Sequence, residues 1–158
     1  MRRPYIFRLE ENKAVVRRFI EELNKRNIAI MDELVAPDMV HPTLQVRGPE
    51  NYKQFEIALW TAFPDWHETI LDMVAEEDKV WLFEEVTATH TDEWRSFLPH
   101  INKKVRVAPT GKKITFTYVG MYRIVDGKIV ERRSIHGVVE FYKDIGVIEY
   151  RELPENVE

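Results

Sequence analysis

Apolar residues recur at helical spacing in the first part of the chain and at every second position over much of the rest. Val15, Val16, Phe19, Ile20 and Leu23 share one face of a helix predicted over residues 10–27, with Lys13, Arg17, Arg18, Glu21 and Lys25 on the other. A short helix from Ile30 to Val35 ends before Pro37-Asp38, and Met39-Val40-His41-Pro42 reads as a brief strand. Gly48-Pro49 opens a second long helix, since proline suits a first helical turn; Tyr52, Phe55, Leu59, Ala62 and Phe63 form its stripe and Pro64 stops it.

After Pro64 the period is two. Strands are expected over 66–76, 79–91, 112–125 and 128–141, divided by turns at Glu77-Asp78 and Asp126-Gly127 and by a long loop over 92–111. Runs of about 12 residues would reach roughly 40 Å if straight, so the sheet should bend or carry bulges. Helices followed by an antiparallel meander make an α+β pattern. The chain, residues 1–158, reads as a single domain with a C-terminal tail over 147–158.

Composition narrows the class. The chain has 158 residues, 44% hydrophobic and 32% charged, in the range of a folded globular protein. No apolar run is long enough to cross a bilayer, and no apolar stretch follows the basic N-terminus as in a secretory signal. A cytoplasmic protein without membrane contact is therefore expected. A net charge of −4 gives no reason to expect a nucleic-acid partner. Cysteine is absent, which excludes disulfides, thiolate metal sites and a cysteine nucleophile.

Candidate chemistry rests on histidines, tyrosines and one glutamate. Ala108-Pro109-Thr110-Gly111-Lys112-Lys113 lacks the first glycine and the following helix of a phosphate loop. His41, His67, His90, His100 and His136 include no pair at the i, i+4 spacing of a zinc helix, so no metal site is expected. His90 shares parity with Val80, Leu82, Val86 and Ala88, the apolar face of its strand, and so does Glu84. Inward polar groups are costly unless paired, hydrated or used. A bulge at Glu84-Glu85 would turn the glutamate outward.

Several short motifs, in order, resemble the SnoaL-like polyketide cyclase family of the nuclear-transport-factor-2-like superfamily. They are Val40-His41-Pro42, Phe63-Pro64-Asp65, Thr89-His90-Thr91, Pro109-Thr110-Gly111-Lys112, and Arg123 followed by Asp126-Gly127-Lys128-Ile129-Val130-Glu131. The resemblance runs over about residues 13–146. It implies a cone: a strongly curved antiparallel sheet wrapped over N-terminal helices around an apolar pocket, often dimeric through the sheet. Activities in the superfamily include aldol cyclisation, isomerisation, dehydration and epoxide hydrolysis, by acid–base chemistry without metal or organic cofactor. The fold also hosts members without catalysis.

One departure matters. The family usually places a tryptophan and one or two aspartates on the last strand, one aspartate acting as acid–base. Here Arg133 stands at the tryptophan position, and Ser134 and Gly137 stand where those aspartates are expected. The resemblance therefore leaves His41, His90 and His136 as the catalytic candidates, since a neutral imidazole is a competent base near neutral pH. Trp60, Glu84, Tyr118, Tyr122 and Ser134 are the expected ligand-binding residues. The expected ligand is a small apolar or carbonyl-containing molecule; a non-catalytic binding protein or a dimeric interaction module is the alternative. Ile114, Phe116, Tyr118, Tyr122 and Ile124 on one side of strand 112–125, with Val119, Met121 and Val125 on the other, call for cover on both faces and thus for a homodimer. Trp94, Phe97, Leu98 and Ile101 among basic residues suggest that loop 92–111 packs as a lid.

Overall fold

The computed structural model of the protein describes residues 5–98, 103–136 and 138–146, with the side chains of 5, 96–98, 103–105, 136 and 138–140 outside the described set. Helix α1 (Tyr5–Asn24) buries Val16, Phe19, Ile20 and Leu23, the stripe expected from their spacing. Helix α2 (Ile30–Leu34) follows, tied to α1 by a two-pronged Arg18–Glu33 pair whose Nη2–Oε2 distance is 2.6 Å. Strand β1 (Val35–His41), the two-residue β2 (Val46–Arg47) and helix α3 (Gly48–Ala62) complete the N-terminal half. Among the described residues no helix is long and apolar enough to cross a membrane.

The meander then lays down β3 (His67–Glu76), β4 (Lys79–Thr89), β7 (Lys113–Val125) and β8 (Lys128–His136), with β5 (Trp94–Leu98) and β6 (Lys103–Val107) between β4 and β7. The main sheet has the order β2-β1-β8-β7-β4-β3. Every pair in it is antiparallel except β1 with β8, which run parallel. Irregularities bend it: β3 carries an extra residue between Ile70 and Asp72, β8 one opposite the Arg123–Ile124 step of β7, and the β1–β8 register shifts between Val35 and Val40. The β4–β7 ladder is unbroken from Lys79↔Arg123 to Thr89↔Lys113, so no bulge forms at Glu84-Glu85 and Glu84 points inward.

Two expectations are corrected. Segment 92–111 is not a simple loop: Trp94 to Leu98 pairs with Lys103 to Val107 as a separate two-stranded sheet, with Trp94 and Val107 buried against the main body. Its 99–102 tip lies outside the described residues. The last strand stops at His136 rather than continuing to residue 141, and Val138–Asp144 is helix α4. The pairing explains this, because β8 meets β7 only as far as Tyr118 and β1 only as far as Val40. Past that point burial of Tyr142 and Ile145 in the aromatic cluster favours a helix over an unpaired strand. The 147–158 tail lies outside the described residues.

The core has two parts. One joins α1, α2 and the base of the sheet through Phe19, Met31, Met39, Tyr52, Leu82, Tyr122 and Ile129. The other is aromatic, with Phe63, Trp94, Phe116 and Tyr142 packed beside Leu59, Val86 and Ile114.

Candidate functional site

Where α3 crosses the inner face of the sheet, the interior is polar. Glu56 of α3, Glu68 of β3, Glu84 of β4 and Arg132 of β8 are all at most 7% exposed, among the equally buried Tyr52, Tyr118 and Tyr122. A continuous hydrogen-bond chain links Trp66, Glu68, Tyr118, Arg132 and Tyr52. The indole of Trp66 donates to Glu68 Oε1 at 3.0 Å, and Tyr118 donates its hydroxyl proton to Glu68 Oε2 at 3.0 Å. The same Tyr118 oxygen accepts from Arg132 Nη2 at 3.0 Å, while Arg132 Nη1 donates to the hydroxyl of Tyr52. The guanidinium lies 5.1 Å over the Tyr122 ring and 3.9 Å from Glu56, too far for a hydrogen bond to that carboxyl.

The backbone of Glu68 is held from behind. Asn24, the last residue of α1, accepts from Glu68 N at 2.9 Å and donates to Glu68 O at 2.8 Å, as a neighbouring strand would. Arg26, at a φ of 64°, donates to the carbonyls of Pro64 and Trp66 at 2.6 and 2.8 Å and fixes the approach to β3.

Charge then decides protonation. Burial drives the Glu56 carboxyl well above its ordinary range, helped by the charge of Glu68. Burial, then Glu68, pushes Glu84 up to about 9. Burial raises Glu68 too, but the Trp66 and Tyr118 hydrogen bonds oppose that. Burial lowers Arg132 to about 9, leaving it charged at neutral pH. One interior guanidinium balances one carboxylate, and Glu68 alone of the three accepts two strong donors. With a pKa of about 9 Glu84 is protonated at neutral pH, and burial disfavours the ionised form of Glu56 too; Glu68, with two donors, is the one of the three best placed to carry a charge opposite Arg132. The Glu84 carboxyl lies beside the Tyr118 hydroxyl without a hydrogen bond of good geometry, and Tyr122 Oη and Arg132 Nε have no hydrogen-bond partner among the described residues.

The residues singled out from sequence fall in several places. Tyr118 belongs to this network, and Glu84 and Tyr122 are buried beside it, Tyr122 under the Arg132 guanidinium. Ser134 is buried on β8, its N–H donating to Thr43 Oγ1 at 3.3 Å. His41 is buried with its ring edge-on to Tyr52 at 5.9 Å, next to the network. His90 sits in the aromatic core, stacked on Phe63 at 4.9 Å, with Nδ1 3.2 Å from Thr110 Oγ1; burial lowers its pKa. His136 is placed opposite Tyr118 in the β7–β8 register, and its side chain lies outside the described set. Trp60 is half-buried on α3 under the Arg26 guanidinium, 5.1 Å away. Glu56, Glu68 and Arg132 are not singled out by the sequence reading. Among the described residues no cluster of metal-ligating side chains is present. A groove of about 1050 Å³ between α1 and the β3–β4 and β7–β8 turns, lined by Glu11, Asn12, Glu77, Asp78 and Asp126 among others, shares no residue with the network.

A curved sheet closed over helices, with acid and base groups gathered at its centre, defines an α+β cone protein of the nuclear-transport-factor-2-like type. The chain belongs to the SnoaL-like polyketide cyclase family, whose family model matches residues 13–145. Among solved structures it is similar to AclR of Streptomyces galilaeus, provisionally described as a hydroxylase: 26% identity, 89% of this chain and 99% of that one, TM-score 0.72. It is similar also to IdmH of Streptomyces antibioticus, provisionally described as a polyketide cyclase: 25% identity, 86% and 99% coverage, TM-score 0.68. A SnoaL-like cyclase fold from a Jannaschia species shares the architecture, with TM-score 0.76 at 19% identity over 94% and 99% of the two chains. The comparison with curated proteins gave no significant match.

Proposed function

We propose that the protein is a cofactor-free acid–base enzyme of cyclase type acting on an enolisable carbonyl compound, with Glu68 as the base. The supporting observation is the buried Trp66–Glu68–Tyr118–Arg132–Tyr52 chain. A carboxylate whose pKa is raised by burial is a stronger base than an exposed one. Its proton acceptance is fixed in direction by Trp66, Tyr118 and the Asn24 clamp. The Arg132 charge offsets that of the base and, through Tyr118, polarises the site. Family membership and the likeness to IdmH favour carbonyl chemistry. Glu68 thus takes over the task of the aspartate that Ser134 and Gly137 replace. The histidine reading, with His90 and His136 as acid and base and His41 nearby, makes the opposite prediction.

Deuterium exchange at the α-carbon of 1-tetralone, followed by proton NMR, separates the two. The wild-type protein should accelerate exchange about 10²–10⁴-fold over buffer, the usual range for one positioned base. Glu68→Gln should return the rate to that of buffer while His90→Gln keeps most of it. Loss in His90→Gln with Glu68→Gln active would transfer the role to histidine. No acceleration in the wild type would favour a binding protein without turnover.

The same reading includes a homodimer. Phe83, Val119 and Ile135 are consecutive partners across β4, β7 and β8 on the outer face and are 43%, 36% and 71% exposed, with Leu71, Val74 and Trp81 beside them. An apolar area of this kind on one layer of sheet calls for cover. Sedimentation velocity at micromolar concentration should give a dimer, and Phe83→Glu combined with Ile135→Glu a folded monomer. A wild-type monomer would sink the idea.

A further inference from the structure

Positive charge is unevenly placed along the chain. Residues 94–113 hold six of the 23 basic side chains, Arg95, Lys103, Lys104, Arg106, Lys112 and Lys113, and none of the 27 acidic ones. With −4 for the whole chain, the remainder carries −10. The fold gathers the basic stretch into one projection, the β5–β6 hairpin, with Lys112 and Lys113 exposed at its foot. The groove lined by Glu11, Glu77, Asp78 and Asp126 lies at the turn that opens β4, and the hairpin follows the end of β4, so the two charges stand at opposite ends of one strand. The foot is fixed. Gly111 N donates to His90 O at 2.8 Å and His90 N to Lys112 O at 2.9 Å, while Trp94 is buried edge-on to Phe55 and Phe63 at 6.0 and 5.7 Å. A platform held in this way loses little freedom on binding.

Arg95 and Arg106 stand directly opposite each other in the β5–β6 register, where like charges destabilise a strand pair. Glu93 joins them: one of its oxygens accepts from Arg95 Nε at 2.5 Å and from Arg106 Nη2 at 3.1 Å. A single carboxylate leaves one positive charge over, and the two arginine side chains remain 69% and 66% exposed. Glu93 takes the Nε side of both forks; among the described residues, the Nη groups of Arg95 and Nη1 of Arg106 meet no acceptor. Planar forks with unused donors suit carboxylates.

We propose that the β5–β6 hairpin is a docking surface for an acidic segment of a partner protein, with Arg95 and Arg106 taking its carboxylates. Arginine is among the residue types that carry binding energy at protein interfaces. The −10 charge of the remaining chain opposes an anion that extends past the hairpin, as a nucleic-acid strand would, and favours a compact acidic patch. The same separation of charge turns the hairpin toward an approaching acidic partner and speeds the encounter. The surface is independent of the acid–base reading, because none of its residues belongs to the buried network.

The probe is decaglutamate with a fluorescein label, titrated with the full chain at neutral pH and followed by anisotropy. Binding should saturate, and should weaken about tenfold or more between about 50 and about 200 mM salt. Arg95→Gln with Arg106→Gln should weaken it about tenfold at the lower salt, as expected for two lost charge-assisted hydrogen bonds. Arg17→Gln with Arg47→Gln makes the same change in net charge at exposed positions outside the hairpin and should weaken it less than about twofold. Arg95→Lys with Arg106→Lys keeps the charge without the forks and should weaken it by an intermediate amount. Lys112→Gln with Lys113→Gln, at the exposed foot, should also weaken the peptide, and this arm stands even where the first pair fails to fold by circular dichroism. No saturable binding, equal losses in the hairpin and control pairs, full affinity in the lysine pair or no change in the foot pair would overturn the proposal. Tighter binding of a labelled oligothymidylate of the same charge, or of phosphatidylserine vesicles, would overturn it in favour of a phosphate surface.

Discussion

Arg132→Met is expected to destabilise the protein by about 3–5 kcal/mol at pH 8, the usual cost of removing one partner from a buried charged network. Arg132 is 5% exposed and donates to Tyr52 and Tyr118, and its charge balances Glu68 across the Tyr118 hydroxyl. Without it, Glu68 must be buried as an unbalanced anion or take up a proton. Protonation is easy at pH 5 and costs more as pH rises, so the loss in urea unfolding should be smaller at pH 5 than at pH 8. Adding Glu68→Gln to Arg132→Met should recover part of the loss, because the charge that needed balancing is gone. Arg132→Lys should recover little, since a single ammonium cannot span two phenols as a planar fork does. A variant as stable as wild type at pH 8 would mean that the interior carries no ionised carboxylate.

The second large effect is the dependence of wild-type stability on pH. Glu84 has a folded pKa of about 9, above that of a carboxyl in the unfolded chain. A group raised in this way contributes fully below its unfolded pKa, near 4.5. The contribution declines between the two values as the folded state must hold a proton that the unfolded chain releases, and is gone above about 9. Glu56 is shifted in the same direction by burial. Stability should therefore fall from pH 5 to pH 9, with a slope approaching about 1.4 kcal/mol per pH unit for each such group. Glu84→Gln keeps the shape and removes the titration, so its curve should be flatter and cross above the wild type at alkaline pH. Parallel curves for the two proteins would show Glu84 ionised in the fold.

Much of the fold was legible because burial alternates along β4 and along most of β7, where the buried Met121 is the break. Val80, Leu82, Glu84, Val86 and Ala88 point inward on one, and Ile114, Phe116, Tyr118 and Tyr122 on the other. That alternation placed Glu84, Tyr118 and Tyr122 correctly inside. Glu68 and Arg132 escaped because each lies on a strand that slips. On β3 the even positions Glu68 and Ile70 face in before the bulge, and Met73 and Ala75 after it. On β8 the buried Ile129 and the buried Arg132 lie on opposite sides of an extra residue. Simple parity counted from Ile129 would send Arg132 to solvent. Glu56 was legible in principle: it stands four residues after Tyr52 and three before Leu59, on the buried stripe of α3. A charged residue there reads as an interruption of the stripe unless a partner is already known. The hairpin of β5 and β6 went unseen because Lys103-Lys104-Val105-Arg106-Val107 carries charge at positions that strand patterns usually fill with apolar residues.

The sheet order also fixes when the protein can be completed during synthesis. Strand β8 lies between β1, made early, and β7, made just before it, and is parallel to the first. Until it emerges from the ribosome, β1 and β2 have no place in the main sheet and β7 presents an unpaired edge. The nascent chain at that stage already carries Glu56, Glu68 and Glu84 but not the arginine that balances them. Closure of the sheet and neutralisation of its interior are then one event, delivered by the same nine residues. Ribosome-bound chains arrested before Lys128 should consequently be held by chaperones and cut readily by protease, with protection appearing abruptly once β8 is free to insert.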